Sequence, residues 1–265
     1  MIMITVITVT YNAASTIEDT IRSVISQDYR NLDYVIVDGA STDGTQDIIR
    51  RYAEEDSRIR YVSEPDNGLY DAMNKGARMA VGDYINYLNS GDHYTDNKVI
   101  SDIADRLREG ADIIYGNIVY MNPDGSECVR TYSQFCSSLF YYLLGDCINH
   151  QAIFAGKGCF DENTFDTAYR ISADREWMIR QKKAGKAYKS VDRLICCYSL
   201  DENSVSVKNV KLTWRENGII IRKHLMPGYP LYCFINLLRN GSVSSKVLHK
   251  LYEIAFIRGQ NKKSD

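Results

Sequence analysis

The chain has 265 residues, 45% hydrophobic and 25% charged, which is enough apolar content for one large domain or a domain with an appendage. This composition excludes a disordered chain and a long coiled coil. The 32 basic and 34 acidic side chains leave a net charge of −2, so no nucleic-acid partner that would cover the whole surface is expected.

The charges are unevenly distributed along the chain. Residues 1–110 hold 11 basic and 19 acidic side chains, and residues 205–265 hold 11 and 3. The first segment therefore has a net charge of −8 and the last a net charge of +8. This asymmetry predicts two surfaces with different partners.

Cysteine usage and the first residues indicate the compartment. The seven cysteines are an odd number without a C-x-x-C pair, so reduced thiols are expected rather than disulfides or a zinc site. Residues 1–10 lack the basic region of a signal peptide, and no apolar run reaches the ~18 residues that span a bilayer. We expect a cytoplasmic protein, free or peripheral on the inner face of the cell membrane.

The first hundred residues alternate between strand and helix patterns. After a buried strand over residues 4–9, Ser15 and Glu18 stand at capping-box spacing before a helix. Such alternation predicts a mainly parallel α/β sheet, whose loops at the carboxyl edge bind ligands. The further strands are predicted over 34–37, 59–62 and 83–88, the helices around 48–53 and over 69–80, and the edge loops over 10–14, 38–44, 63–68 and 89–95.

The pattern changes beyond residue 110. Short strands, an aromatic-rich stretch over 135–144 and one helix are followed from about residue 205 by basic, apolar helices. The strands are predicted over 112–119, 127–132, 152–156 and 187–198, and the helix over 172–184.

The edge loops favour a metal-bound diphosphate over other nucleotide chemistry. A P-loop motif is absent, and residues 10–15 contain no glycine to let a pyrophosphate approach a helix. Asp38, Asp66 and Asp92 each follow a predicted strand. Carboxylates repel a diphosphate unless a divalent cation lies between them, so the acidic edge predicts Mn²⁺ or Mg²⁺.

Five motifs in this order resemble those of the family 2 glycosyltransferases. They are Thr-Val-Thr-Tyr-Asn at 8–12, Val-Asp-Gly-Ala-Ser-Thr-Asp-Gly-Thr at 37–45, Glu-Pro-Asp-Asn-Gly-Leu-Tyr-Asp-Ala-Met-Asn-Lys-Gly at 64–76, Gly-Asp-Tyr at 82–84 and Leu-Asn-Ser-Gly-Asp at 88–92. The resemblance implies a GT-A fold and inverting transfer from a nucleotide-diphosphate sugar. It implies a catalytic domain over 1–204, with a nucleotide-sugar part over 1–110 and an acceptor part over 111–204, followed by a helical region over 205–265.

The resemblance also implies a donor site. Asp38 would bind the base and ribose, with Thr10 and Tyr11 lining the base, while Asp66 or Asn67 could instead cap the following helix. The nucleotide-sugar residues implied are Thr10, Tyr11, Asn12, Asp38, Asp66, Asn67, Gly68, Asp71, Asn74, Lys75, Asn89, Ser90 and Gly91.

The metal motif differs from that of many relatives. Where these have Asp-x-Asp-Asp, this chain has Asn89-Ser90-Gly91-Asp92, so Asp92 is the expected ligand of the cation. A similar Asn-Ser-Gly-Asp occurs in the subset that resembles colanic-acid and other exopolysaccharide transferases.

Inverting transfer needs one base to accept the proton of the attacking hydroxyl. By resemblance this is Asp174, which precedes an apolar helical stretch; a first-turn aspartate that favours the helix dipole is the alternative. Further candidates for contact with the acceptor or diphosphate are His150, Gln151, Arg175, Glu176 and Trp177.

The predicted function is therefore transfer of a hexosyl or N-acetylhexosaminyl group from a nucleotide sugar, expected to be a UDP-sugar. The acceptor would be a saccharide or polyprenyl-linked saccharide in surface polysaccharide biosynthesis. Alternatives are a sugar nucleotidyltransferase and an inactive glycan-binding or scaffold subunit. Residues 205–265 are expected to bind an anionic membrane surface, or to pack on the catalytic domain or a homodimer partner.

Overall fold

A computed structural model of the chain describes residues 1–160, 164–200 and 209–240. The described residues contain one nine-stranded sheet with flanking helices. The strands are β1 (Ile4–Thr10), β2 (Leu32–Asp38), β3 (Ile59–Ser63), β4 (Tyr84–Tyr87), β5 (His93–Tyr94), β6 (Ile113–Met121), β7 (Glu127–Arg130), β8 (Ile153–Gly156) and β9 (Tyr188–Ser199). The helices are α1 (Ile17–Ile25), α2 (Thr45–Glu55), α3 (Leu69–Met79), α4 (Val99–Leu107), α5 (Leu139–Leu143), α6 (Ala173–Lys183), α7 (Val210–His224) and α8 (Tyr229–Asn240).

The first four strands are parallel, as predicted. Their order in the sheet is β3-β2-β1-β4. Thr10 pairs with Asp38, and Asp38 with Ser63, so these strands end at the same level. This register brings the loops after β1, β2 and β3 to one edge. The alternation of strands and helices in this half confirms the expected α/β arrangement.

The other half of the sheet is mixed, a detail that the prediction of a mainly parallel sheet with flanking helices did not include. Strand β8 is antiparallel to both β4 and β6, β6 is parallel to β9, and the short β5 and β7 pair antiparallel with β9 and β6. The sequence pattern also missed β5 and α4. A strand of two residues has no usable periodicity.

The predicted capping box at the start of α1 is absent. The helix begins after Thr16, and no side-chain cap is formed there. Glu18 instead accepts hydrogen bonds from Arg22 of its own helix at 2.6 Å and from the Tyr52 hydroxyl at 2.8 Å, and the bond from Tyr52 links α1 to α2. Glu18 therefore bonds to Tyr52 of another helix instead of capping the start of its own helix.

Helix α3 packs closely on the first strand. A Cβ on Gly76 would lie 2.4 Å from Cγ2 of Ile7, so this position has room only for glycine. Met73 and Ala77 of the same helix are buried in the core. This contact places the start of α3 at the carboxyl edge of the sheet.

Helices α7 and α8 pack on the rest of the protein. Ile220 and Ile221 are fully buried in the same core as the sheet, and Glu216 is buried beside the start of α6. The predicted boundary at residue 204 and the predicted basic region beyond residue 240 lie outside the described residues. Among those described, no helix has both the length and the apolar character needed to cross a membrane.

Candidate active site

The loops after β1 and β2 are joined by Asn12. Its backbone adopts a left-handed conformation, with φ of 47°. Its N–H donates to Ser41 Oγ at 2.7 Å, and its Oδ1 accepts the N–H of Thr42 at 2.9 Å. These bonds hold the neighbouring Tyr11 with its ring 66% exposed at the carboxyl edge.

Asp38 lies beneath this surface rather than on it. Its carboxylate is fully buried and accepts bonds from Ser41 N–H at 3.0 Å, Ser41 Oγ at 2.5 Å and Ser63 Oγ at 2.6 Å. Asp38 therefore organises the loops after β2 and β3. The expected contact between Asp38 and the nucleotide stays a prediction; Thr10, 5% exposed, is likewise an interior residue.

Asp66 and Tyr11 meet above the backbone of Gly39. A Cβ on Gly39 would lie 2.6 Å from Asp66 Oδ2 and 3.3 Å from Tyr11 Cδ2. The absence of a side chain at Gly39 thus leaves the space that the Asp66 carboxylate occupies. Oδ1 of Asp66 accepts the N–H of Gly68 at 2.8 Å, which fixes the carboxylate in place.

The residues that follow Asp66 mainly organise the start of α3. Asp71 accepts the N–H of Asn67 at 2.9 Å, while Lys75 donates to the Pro65 carbonyl oxygen at 2.7 Å and pairs with Glu64 at 2.9 Å. These contacts shape the loop that carries Asp66.

Asn74 is a structural residue. It is buried and exchanges two hydrogen bonds with the backbone of Phe165, at 2.8 and 2.9 Å. Both ends of its amide hold the segment before α6, and its expected contact with the donor stays a prediction.

Asp92 is also buried, at 5% exposure. Its Oδ1 accepts the N–H of Ser199 at 2.8 Å, and its Oδ2 accepts a bond from Gln151 Nε2. Burial raises the pKa of Asp92 to about 7, against the opposing effects of the Ser199 and Gln151 donors and of His150. The carboxylate ties the loop after β4 to the end of β9.

Each oxygen of Asp92 accepts one hydrogen bond from the protein and keeps a second lone pair. Within residues 1–160, 164–200 and 209–240, no group of three or more His, Cys, Asp or Glu side chains is arranged to hold a metal ion. Asp92 as the ligand of a cation therefore stays a prediction, and Gln151 contacts its carboxylate.

Asp174 stands at the first turn of α6, as predicted, and contacts both halves of the domain. The hydroxyl of Tyr70, at the start of α3, lies 3.0 Å from its Oδ1 and 2.6 Å from the carbonyl oxygen of Ile171. The N–H of Arg175 donates to the same Oδ1 at 2.8 Å, and Nδ1 of His150 lies 3.1 Å from Oδ2. Asp174 is thus brought beside the loop that carries Asp66.

The three residues that follow Asp174 are directed into the interior, and their expected contact with the acceptor or diphosphate stays a prediction. Arg175 is buried and donates to the Asp146 carbonyl oxygen at 2.5 Å. Glu176 accepts from Arg180 at 2.7 Å and its Oε1 lies 2.8 Å from Nε2 of His224, and Trp177 donates to the Cys159 carbonyl oxygen at 3.0 Å. Successive positions of a helix face different directions, so only Asp174 is directed to the edge.

Glu216 was missed by the sequence analysis. This α7 residue is 5% exposed and accepts the backbone N–H groups of Arg170 at 2.8 Å and of Ile171 and Ser172 at 3.0 Å. It thereby anchors the segment that leads into Asp174. In the sequence, the feature that could have indicated Glu216 is that it is the single acidic residue among the basic and apolar residues of α7.

Comparison with known proteins identifies related sequences. The model of the family described as glycosyl transferase family 2 matches residues 5–173. The putative teichuronic acid biosynthesis glycosyltransferase TuaG of Bacillus subtilis is 30% identical over 251 residues, covering 90% of this chain and 95% of its own. A PGL/p-HBAD biosynthesis glycosyltransferase of Mycobacterium bovis is 29% identical over 182 residues, covering 67% and 69%.

Solved structures share the fold at low sequence identity. TarS 1–349 of S. aureus in complex with UDP has a TM-score of 0.63 and 15% identity, covering 84% of this chain and 66% of that one. This chain thus spans just under two thirds of that TarS fragment. The mannosyltransferase PcManGT of Pyrobaculum calidifontis, in complex with GDP-Man and Mn²⁺, has a TM-score of 0.59 and 18% identity, covering 96% and 79%.

Proposed function

The chain belongs to glycosyl transferase family 2, and from this premise we propose that it transfers a sugar, with inversion, from a nucleotide-diphosphate sugar to a saccharide or lipid-linked saccharide. It is a glycosyltransferase with the GT-A fold, and its relatives act in cell-surface polysaccharide biosynthesis. The observation that carries the proposal is the approach of Tyr70 to Asp174 at 3.0 Å. This contact connects the sheet edge with the proposed donor loops, where α3 begins, to the proposed acceptor side, where α6 begins.

On the acceptor side, Asp174 supplies the base. The acceptor hydroxyl oxygen attacks the anomeric carbon and forms the new glycosidic bond, while the bond to the diphosphate breaks and its electron pair leaves on the phosphate oxygen. The hydroxyl proton passes to the Asp174 carboxylate. One base suffices because attack from the face opposite the leaving group needs no covalent intermediate.

On the donor side, Tyr11 and Asp66 form the proposed nucleobase contact. An exposed aromatic ring offers a stacking surface, and a carboxylate accepts hydrogen bonds but cannot donate when ionised. Uracil and guanine present a ring N–H to such an acceptor, whereas cytosine and adenine present a ring nitrogen with a lone pair. This contact therefore favours uridine and guanosine nucleotides, consistent with a UDP-sugar.

We expect UDP and GDP to bind at least about tenfold more tightly than CDP and ADP, the effect of one hydrogen bond to a charged group. Asp66→Asn should remove most of this preference, because an amide both donates and accepts. Isothermal titration with the four nucleotides measures it. Glu54→Gln, which alters an exposed carboxylate of α2 outside this loop, is the control and should bind like the wild type. Unchanged selectivity in Asp66→Asn would show that another group recognises the base.

For the divalent cation expected from the family, Asp92 is the candidate protein ligand. We propose that Mn²⁺ or Mg²⁺ reaches the site on the donor diphosphate, whose oxygens are suitable ligands. The titrations repeated with and without Mn²⁺ on wild type and Asp92→Asn test this. A weaker Mn²⁺ effect in the variant, with unchanged thermal stability, would assign Asp92 as a ligand.

We propose that the outer face of α7 and α8 binds an anionic bilayer. Trp214, Ile219 and Phe234 are 36%, 47% and 58% exposed. Exposed cations stand on the same α7 helix at Lys211, Arg215 and Arg222, a combination typical of interfacial helices.

Vesicle flotation tests this membrane contact. We expect the wild type to float with vesicles that contain phosphatidylserine but not with pure phosphatidylcholine. The triple variant Lys211→Gln, Arg215→Gln, Arg222→Gln should lose most of this binding, since each cation near the surface contributes about 1 kcal/mol. A control triple at Arg50, Arg106 and Arg108, all exposed elsewhere, should float normally. Equal flotation of both triples would overturn the proposal. Truncation at residue 204 is a poor test, because it also removes Glu216.

A further inference from the structure

Asp174, His150 and Asn89 form a hydrogen-bonded chain across the site. Nδ1 of His150 lies 3.1 Å from Asp174 Oδ2, and Nε2 lies 3.1 Å from Nδ2 of Asn89. His150 and Asp174 have side chains that are each 15% exposed. The chain thus runs from the start of α6 to the loop that follows β4.

The chemistry of Asp174 determines where His150 carries a proton. An ionised carboxylate only accepts, so Nδ1 must donate to Asp174. Nε2 faces the side-chain amide of Asn89, which can donate from Nδ2 or accept at Oδ1, an atom with no other hydrogen-bond partner. The imidazole is thus held from both sides.

The other oxygen of Asp174 is already occupied. Oδ1 accepts the N–H of Arg175 at 2.8 Å and lies 3.0 Å from the Tyr70 hydroxyl. A carboxylate oxygen has two lone pairs, so the acceptor hydroxyl must approach the lone pair of Oδ2 that His150 leaves open. The direction of that lone pair depends on the bond to His150.

We propose that His150 is a positioning residue. It orients Oδ2 of Asp174 toward the acceptor hydroxyl and, through Asn89, fixes the position of Asp174 relative to the loop after β4. The inference rests on the proposed role of Asp174 as the base. His150 acts through Asp174 and takes no proton from the acceptor itself.

The electrostatics agree with this arrangement. Burial raises the pKa of Asp174, but the hydrogen bond and charge of His150, with the Arg175 N–H and the Tyr70 hydroxyl, more than offset it and hold this pKa below its ordinary value. The titratable and charged groups around the carboxylate are Tyr70 from α3, Cys147 from the segment after α5, His150, and Arg175 on α6 itself. Removing His150 therefore raises the pKa of Asp174.

Two substitutions of His150 distinguish the loss of its hydrogen bond to Asp174 from the loss of its side-chain volume. His150→Asn retains an amide N–H near the position of Nδ1, whereas His150→Leu fills the space without a donor. We expect His150→Leu to lower kcat about 10- to 100-fold, the effect of one bond to a charged group, with little change in the KM for the donor. Because the base must be ionised, the acid limb of the kcat profile should move to higher pH. His150→Asn should restore most of kcat and the wild-type acid limb.

Gln27→Leu is the control for general destabilisation, because Gln27 is a buried amide with bonds to Asp96 and Ile100 and lies outside the chain defined above. It should lower the Tm without moving the acid limb. Equal kcat and equal acid limbs in His150→Leu and wild type would overturn the inference, as would identical behaviour of the Asn and Leu variants. The role of Asp174 is tested separately: full turnover in Asp174→Asn would refute the proposed base, whatever the His150 variants do.

Discussion

Replacing Asp174 by asparagine should reduce sugar transfer about 1000-fold, within the range that a general base contributes. The amide is nearly isosteric and can still accept the Arg175 N–H, but it cannot take up the proton of the acceptor hydroxyl. Nucleotide binding should stay unchanged, because Tyr11 and Asp66 are not altered. Turnover of a nucleotide-sugar panel with an oligosaccharide acceptor, together with UDP titration, measures the two effects.

Glu176→Gln is the matched control for this variant. Glu176 is the neighbouring carboxylate of α6, but it is buried against Arg180 and His224. We expect its loss to lower stability while kcat per folded molecule is retained. The reverse pattern, with turnover lost in Glu176→Gln and kept in Asp174→Asn, would assign the base to Glu176.

Replacing Glu216 by alanine should lower the free energy of unfolding by about 3 kcal/mol, because three backbone N–H groups lose a charged acceptor. The same change should lower kcat, since residues 170–172 lead directly into Asp174. Urea denaturation gives the stability and steady-state kinetics the activity. The result would show that α7 is a working part of the catalytic domain.

Glu216→Gln separates the two contributions to this effect. Its amide oxygen can still accept some of the N–H groups, so the loss of stability should be intermediate. Arg215→Ala, at the adjacent exposed position, should leave both stability and kcat near wild type. Wild-type stability in Glu216→Ala would mean that the three N–H groups find other acceptors, and the anchoring role would be wrong.

Asp38 and Asp92 show why the sequence does not reveal which carboxylates are buried. Asp38 and Asp92 both follow strands of the sheet, as ligand-binding carboxylates do, yet Asp38 bonds to Ser63, 25 residues away, and Asp92 to Ser199, 107 residues away. Their burial depends on these distant partners. The motifs that contain them therefore mark an edge of the sheet without showing which of their carboxylates are buried.

The same limit applies to the elements of the fold. The parallel half was predictable because apolar spacing within each helix and strand is a local property of the chain. The antiparallel pairing of β8 with β4 and β6 was not, because strand order in space depends on contacts across the sheet. The Glu18 bond to Tyr52 replaced a local cap for the same reason.

The sequence by itself determined the order of strands and helices in the first hundred residues, the family, and the uneven charge that first distinguished the two ends of the chain. Only the tertiary structure decided the direction of each polar side chain: Asp66 and Asp174 toward the edge, Asp38 and Asp92 into the interior, and Glu216 onto the start of α6. The physical reason is that a buried polar group must find hydrogen-bond partners. Those partners lie on elements far away in sequence, so the direction of each carboxylate is determined only when the chain folds.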